Sequence, residues 1–332
     1  MIISKTPFRI SLFGGGTDYP EWYHENGGSV LATTIDKYCY ISCRHLPPFF
    51  EHKHRIVYSK IESVKTVDEI QHPVVRAVLS NLSISAGLEI HHDADLPARS
   101  GLGSSSSFTV GLINALNALK GLQISKQDLA KQAIYIEQKV LKETVGNQDQ
   151  ILAAFGGFNR IDFHPNDSFN ISPAIINKEI VEKLQNHMLL FFTGLSRFSS
   201  DIAREKVSNF TNHFQELNKI KEMVDEGMSI LQSPSTPIID LGKLMHESWK
   251  LKRSLSAKIS TPKIDEIYET GIKAGAIGGK ILGAGGGGFI LFFAEPKHHK
   301  KIRERLQSLV HVAFRFENIG SKIVVYEPNG FK

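Results

Sequence analysis

Three glycine-rich loops and two carboxylates in this sequence have the residue types and spacing to do chemistry. The first loop is Gly101-Leu-Gly-Ser-Ser-Ser-Ser107, which runs into an apolar segment, 108–119, of helical character. A helix start leaves backbone N–H groups unpaired and carries partial positive charge. Glycines let the chain approach a ligand closely, and hydroxyls add bonds to phosphate oxygens or a cation. The loop is suited to hold phosphate; from this segment alone, an ordinary serine-capped helix is the alternative. The second loop, Lys280-Ile-Leu-Gly-Ala-Gly-Gly-Gly-Gly-Phe289, satisfies G-x-G-x-x-G from Gly283 to Gly288. A dinucleotide fingerprint must follow a strand and open a helix, whereas here a helix precedes and a strand follows, so close backbone packing against another loop or a ligand is the better reason for the glycines. The third, Gly14-Gly-Gly-Thr-Asp-Tyr-Pro20, is too glycine-rich for an ordinary hairpin.

Glu137 falls on the apolar stripe of a helix whose Ala130, Ala133, Ile134, Val140 and Leu141 recur at three- and four-residue spacing. A buried glutamate costs several kcal/mol unless paired or metal-bound, so it requires a partner. Magnesium, which uses few protein carboxylates and keeps other positions for water and phosphate, is one possibility. A structural ion pair with a lysine or arginine is the other. Asp149, in Gly146-Asn-Gln-Asp-Gln150, precedes a short apolar run and on its own reads as a helix cap.

The elements that must position these residues fall into two halves. The first reads as strands 2–11, 29–34, 37–45 and 55–59, a helix 73–83, a strand 86–92, helices 108–119, 125–142 and 149–154, and a strand 156–163. Ser125 and Asp128 resemble a capping box. The Pro-, Asn-, Asp- and Ser-rich stretch 164–172 marks a boundary, giving units 1–172 and 173–332. The second half reads as strand 187–193, helices 200–231, 238–256 and 263–275, strand 287–294, helix 297–308 and strands 312–316 and 322–327. That order predicts an antiparallel sheet with helices on one face, an α+β layer.

With 332 residues, 41% hydrophobic and 22% charged, the chain has globular composition. Its charge of +5, from 39 basic and 34 acidic residues, permits anionic small molecules and falls short of a nucleic-acid-binding tail. No apolar run reaches the roughly 18 residues of a membrane helix, and the polar start is unlike a signal peptide, so no membrane partner and a cytoplasmic location are expected. Cys39 and Cys43, about 13 Å apart along one strand, are too far for a disulfide. His91-His-Asp-Ala-Asp95 ends a strand whose neighbouring side chains diverge, which argues against a metal cluster, and 297–305 reads as a solvated helix face.

The loops together resemble the GHMP small-molecule kinases, through Pro7–Asp18, Pro97–Ser107 and Lys280–Gly288 in that family's order. The resemblance implies a two-domain α+β fold: an N-terminal ribosomal protein S5 domain 2-like domain, a C-terminal ferredoxin-like α/β sandwich domain, and ATP between them. It further implies Asp149 and Arg9 as catalytic residues. Pro97, Gly101, Leu102, Gly103, Ser104, Ser105 and Ser106 would bind ATP, and Ser105 and Glu137 Mg²⁺. Gly15, Gly16, Thr17, Asp18, Arg197, Gly285 and Gly286 would bind substrate. Galactokinases carry Glu-His where this chain has Gly15-Gly16; the lost carboxylate leaves room and N–H groups for a longer or anionic substrate. With 32–38 and 193–197, the first motif looks most like the subgroup acting on the anomeric hydroxyl of heptose 7-phosphates. The implied partners are ATP and a sugar phosphate, whose distal phosphate would find Arg197, Arg44, Lys37 or the 14–16 backbone. A kinase for fucose or a hexose and a sugar- and ATP-sensing relative without turnover are the alternatives. Monomer and homodimer are equally compatible with the sequence.

Overall fold

The computed structural model describes residues 1–98, 100–195 and 199–328. In chain order the first half comprises β1 (Ile2–Phe13), α1 (Pro20–Asn26), β2 (Gly28–His45), β3 (His54–Val57), β4 (Ile61–Val64), α2 (Pro73–Asn81), β5 (Leu88–Ala94), α3 (Ser104–Leu119), α4 (Lys126–Ile134), α5 (Gln148–Phe155), β6 (Phe158–Phe163) and β7 (Phe169–Pro173). The second comprises α6 (Lys178–Asn186), β8 (Met188–Phe192), α7 (Ser199–Ser208), α8 (Phe214–Gln232), α9 (Ile239–Ser254), α10 (Pro262–Ala274), β9 (Ala276–Ile281), β10 (Phe289–Ala294), α11 (His299–Arg305), β11 (Val310–Val312), β12 (Phe316–Glu317) and β13 (Lys322–Tyr326).

β1 and the long β2 form the spine of the first sheet, whose order runs β13-β1-β2-β5-β3-β4, with β6 and β12 also on β2 and β7 on β6. The two strands expected at 29–34 and 37–45 are one. Its pairing with β1 jumps from Tyr38 to Ile35, so Asp36 and Lys37 bulge out where the sequence seemed to break. Phe8, Ile10, Leu12 and Phe13 of β1 are buried. α3 lies against this sheet, where a Cβ on Gly111 would meet Thr6 and Ser4, and α8 packs with Gly227 on Phe13 and Leu31. Cys39 and Cys43 are free and buried on β2.

The second sheet is antiparallel, β11-β8-β10-β9, with Phe289 to Ala294 of β10 wholly buried. Gly242 of α9 and Gly271 of α10 bring those helices onto Phe293 and Phe292. The last two strands do not join this sheet as expected: β12 pairs with β2, and β13 pairs with β1, Ile2 opposite Tyr326. The segment 316–326 therefore sits with the first half, across the 172/173 boundary. The physical reason is edge protection. β1 needs a partner on its open side, and 322–326 alternates exposed and half-buried residues, as a sheet edge requires. Alternation alone does not say which sheet that edge belongs to.

Helix limits move in ways that matter to the site. α3 begins at Ser104, so the serine run is its first turn, capped by Gly103 at φ 75°. The helix expected over 125–142 is α4 followed by a π-helical turn, 135–140. The helix expected over 200–231 breaks after Ser208 into α7 and α8.

Candidate active site

One cleft of about 1260 Å³ opens along the N-terminal end of α3 and is lined by all three glycine loops and by Asp149; Glu137 is not in the lining and meets it through Ser106. Gly101 and Gly283 meet backbone to backbone. A Cβ on Gly283 would lie 2.6 Å from the Gly101 Cα, and one on Gly101 2.5 Å from the Leu282 carbonyl oxygen. Gly288 closes on the Ser100 carbonyl in the same way. Packing, not dinucleotide binding, is thus what the 283–288 glycines do. Gly283, at φ 70°, tolerates no side chain. Gly283→Ala is expected to cost about 2–3 kcal/mol, read as a lowered denaturant midpoint at unchanged m-value; an unaltered midpoint would contradict this packing.

Arg9 extends from β1 under the loop. Its Nε and Nη2 donate to Oδ1 and Oδ2 of Asp149, each at 2.6 Å, and Nη1 donates to the Gly101 carbonyl at 2.6 Å. Gly103 lies against the pair; a Cβ there would be 3.1 Å from Arg9 Cγ and 3.4 Å from Asp149 Oδ2. The Arg9–Asp149 pair and the mouth of α3 are therefore adjacent. Asp149 is in the first turn of α5, 23% exposed toward the cleft, while Arg9 is 6% exposed.

Glu137 is wholly buried, carried inward by the π turn, where such turns commonly serve function. Its Oε2 accepts from the Ser106 hydroxyl at 2.9 Å and from the Gln150 amide, whereas Oε1 has no partner. Burial pushes its carboxyl up to about 7, opposed first by the nearby Thr109 hydroxyl and then by Gln150 and Ser106, with Glu143 adding to the rise. No lysine or arginine pairs with it among the described residues, so the structural ion pair is not what holds it. An orphaned carboxylate oxygen beside a hydroxyl-lined helix mouth fits a hard divalent ion that takes few protein ligands. Among the described residues no three His, Cys, Asp or Glu side chains gather to hold a metal by themselves, and His91 pairs with Glu89.

Asp18 is also buried. Its Oδ1 accepts from Gly16 N–H at 2.9 Å and its Oδ2 from the Gln148 amide at 3.0 Å. Desolvation raises its carboxyl, opposed mainly by Lys206. Gly146 is obligatory beside it, since a Cβ would fall 2.0 Å from Asp18 Oδ2. Gly15, Gly16, Ser104, Ser105 and Gly285 line the cleft with it.

Several expected residues sit elsewhere. Thr17 is fully buried, its hydroxyl donating to the Gly14 and Ser29 carbonyls, so it shapes the first loop from behind. Leu102 is core, with its carbonyl accepting from Arg9 N–H, and Pro97 is exposed outside the cleft lining. Gly286 is buried with its N–H given to the Ile259 carbonyl. Ser106, not Ser105, touches Glu137; Ser105 is the exposed hydroxyl of that turn and faces the cleft. Arg44 is bound to Glu89, and Lys37 lies beside Asp36, both outside the lining. Arg197 lies outside the described residues.

Three lysines that sequence patterns passed over complete the site. Lys280 donates to the Leu12 carbonyl at 2.8 Å, and Lys252 to the Ile281 and Gly283 carbonyls at 2.7 and 2.6 Å. Lys206 lies over the Tyr19 ring, 4.1 Å from its centroid. Desolvation lowers all three, Lys280 to about 7. A lysine in a helix reads as solvated face, and only the buried neighbours of 206 and 252 could have signalled otherwise.

The model for the GHMP kinases N terminal domain matches residues 68–157, and that for the GHMP kinases C terminal matches 235–311. Over 307 residues the chain is 30% identical to a D-glycero-alpha-D-manno-heptose 7-phosphate kinase of Campylobacter jejuni, covering 89% of this chain and 90% of that protein. The chain belongs to the GHMP kinases. This kinase is also 26% identical to a bifunctional fucokinase/GDP-fucose pyrophosphorylase of Arabidopsis thaliana, covering 91% of the kinase and 31% of that longer protein. Its fold matches the crystal structure of a D-glycero-D-manno-heptose 1-phosphate kinase from Bacteroides thetaiotaomicron, with a TM-score of 0.80 at 24% identity, over 98% of this chain and 100% of that one. Membership and these relatives make it an ATP-dependent sugar kinase. No helix among the described residues is long and apolar enough to cross a membrane.

Proposed function

We propose that this kinase transfers the γ-phosphoryl group of ATP to the anomeric (C1) hydroxyl of D-glycero-D-manno-heptose 7-phosphate, giving the 1,7-bisphosphate used for nucleotide-activated heptose and surface polysaccharide. The observation that carries the chemistry is the Arg9–Asp149 pair lying against Gly103 at the mouth of α3. The substrate reading is supported by the heptose 7-phosphate kinase at 30% identity and by the glycines that replace a carboxylate in the first loop.

The first turn of α3, with Gly101, Gly103 and Ser104–Ser106, cradles the triphosphate by backbone N–H groups and hydroxyls. Glu137 and Ser105 would hold Mg²⁺, with Ser106 and Gln150 fixing the carboxylate so that Oε1 stays available. Bound there, the ion supplies neutralisation of phosphate charge. Both oxygens of Asp149 already accept from Arg9, but each keeps a second lone pair, so the carboxylate still accepts the hydrogen bond of the attacking hydroxyl. As the sugar oxygen bonds to the γ-phosphorus, the bond to the bridging oxygen of ADP breaks and the hydroxyl proton passes to Asp149 or onward to solvent. Arg9 steadies the charge that develops between them. Asp18, with Gly15 and Gly16, orients sugar hydroxyls. On this reading the first sheet with α3–α5 is the ribosomal protein S5 domain 2-like unit and the second sheet with its helices the ferredoxin-like one.

Fucose is the competing acceptor, because the fucokinases match nine-tenths of this chain. A coupled ADP assay across heptose 7-phosphate, L-fucose, galactose, mannose and mevalonate is expected to give its highest kcat/KM with heptose 7-phosphate. Phosphorus NMR of that product should place the new phosphate on C1. A higher kcat/KM with fucose, or a phosphate on another oxygen, would move the assignment.

A further inference from the structure

Lys206 stands apart from the other cations of the cleft. Arg9 is matched by Asp149, and Lys252 and Lys280 give their protons to backbone carbonyls. Lys206 is 6% exposed, lines the cleft, and makes no hydrogen bond to any described residue; it lies over the Tyr19 ring, with Asp18 its main charge neighbour. An ammonium has three donors, and a cation–π contact uses none of them in a hydrogen bond. A buried charge left in that state calls for an acceptor-rich partner from the cleft. Ala203, one turn earlier on α7, lines the cleft beside it, so this face of the helix is aimed inward.

The charge balance around it selects the partner's class. Asp149 is offset by Arg9, and Asp18 and the exposed Glu21 are the remaining acids felt by Lys206, neither of them bonded to it; no carboxylate bridges Lys252 or Lys280 among the described residues. A neutral sugar would satisfy the donors and leave the ammonium without a hydrogen-bonded counter-ion. An anionic group satisfies both.

We propose that Lys206, seated over Tyr19, forms the subsite for the phosphate that the acceptor sugar carries away from its reacting hydroxyl, and that it makes the enzyme select sugar monophosphates over free sugars. This inference rests on the sugar-kinase reading, and it supplies a cleft-lining residue for the role for which Arg44 and Lys37, outside the lining, were candidates.

The test compares kcat/KM for heptose 7-phosphate with that for the same heptose lacking the phosphate, in the wild type, Lys206→Met and Lys206→Arg. The wild type should prefer the phosphorylated sugar. Lys206→Met, which keeps an apolar stem over Tyr19, should reduce that preference by about 10- to 100-fold, and Lys206→Arg should retain most of it. An unchanged preference in Lys206→Met overturns the proposal, as does a wild type that favours the unphosphorylated sugar, and both leave the kinase reading standing. If neither sugar is phosphorylated, the substrate reading fails separately. Calorimetric binding of heptose 7-phosphate without ATP then decides the subsite: binding weakened at least tenfold in Lys206→Met keeps it, and equal or absent binding removes it. Thermal melts of both variants confirm that folded protein is compared.

Discussion

Asp149→Asn is expected to lower turnover by about 10²- to 10⁴-fold while changing the KM for ATP by less than about threefold. Phosphoryl transfer has a loose transition state, so the protein contributes chiefly by placing the hydroxyl in line and by holding charge where it develops. Asparagine keeps the size of the side chain but offers Arg9 one oxygen instead of two, and gives the hydroxyl no anionic acceptor. Arg9 keeps its bond to the Gly101 carbonyl, so the phosphate loop remains in place and nucleotide binding survives. Steady-state kinetics with ATP and sugar varied separately measure both numbers. Full turnover in the variant would show that Asp149, which lies inside the first turn of α5 and is not its cap, serves only as the ion-pair partner of Arg9.

The second large effect concerns Glu137. In protein free of divalent ions its folded carboxyl sits near 7 and its unfolded one near 4.5, so between those values the folded state binds the extra proton. Stability from this group is therefore full below about pH 4.5 and is lost as pH rises toward 7, by about 3 kcal/mol across the window. Glu137→Gln cannot titrate, so the wild-type minus variant difference in unfolding free energy, measured by denaturant titration in chelator-treated buffer, should decline by that order from pH 5 to 8. A difference flat with pH would mean that Glu137 is not held as buried and half-satisfied as its free Oε1 indicates. The same variant should need at least tenfold more Mg²⁺ for half-maximal turnover, because an amide is a far weaker partner for a hard cation than a carboxylate.

Much of this site was legible along the chain because its parts are local. Ser104–Ser107 form the first turn of a helix and Gly103 takes a positive φ, and composition and short-range spacing report both; Glu137 is buried as expected, but a π turn places it there and leaves Val140 of the expected stripe exposed. Loop against loop was legible in outline: the run 283–288 demanded something close, and the sequence could not name Gly101 as that neighbour. The division of labour between neighbouring serines was hidden. Ser105 and Ser106 are the same residue type, and only the helix phase set by the fold turns one toward Glu137 and the other toward the cleft.

By itself, then, the order of residues determined the three loops, the two carboxylates, the kinase family and most of the elements, since backbone conformation and periodic burial are encoded within a few residues of where they act. Tertiary structure alone decided that β12 and β13 close the first sheet, that Arg9 and Asp149 meet across 140 residues of chain, and that Lys206, Lys252 and Lys280 are drawn from three separate elements into one cleft. Those are long-range pairings. A strand edge, an ion pair or a buried ammonium acquires its partner only when distant segments pack, and no spacing along the chain records that distance.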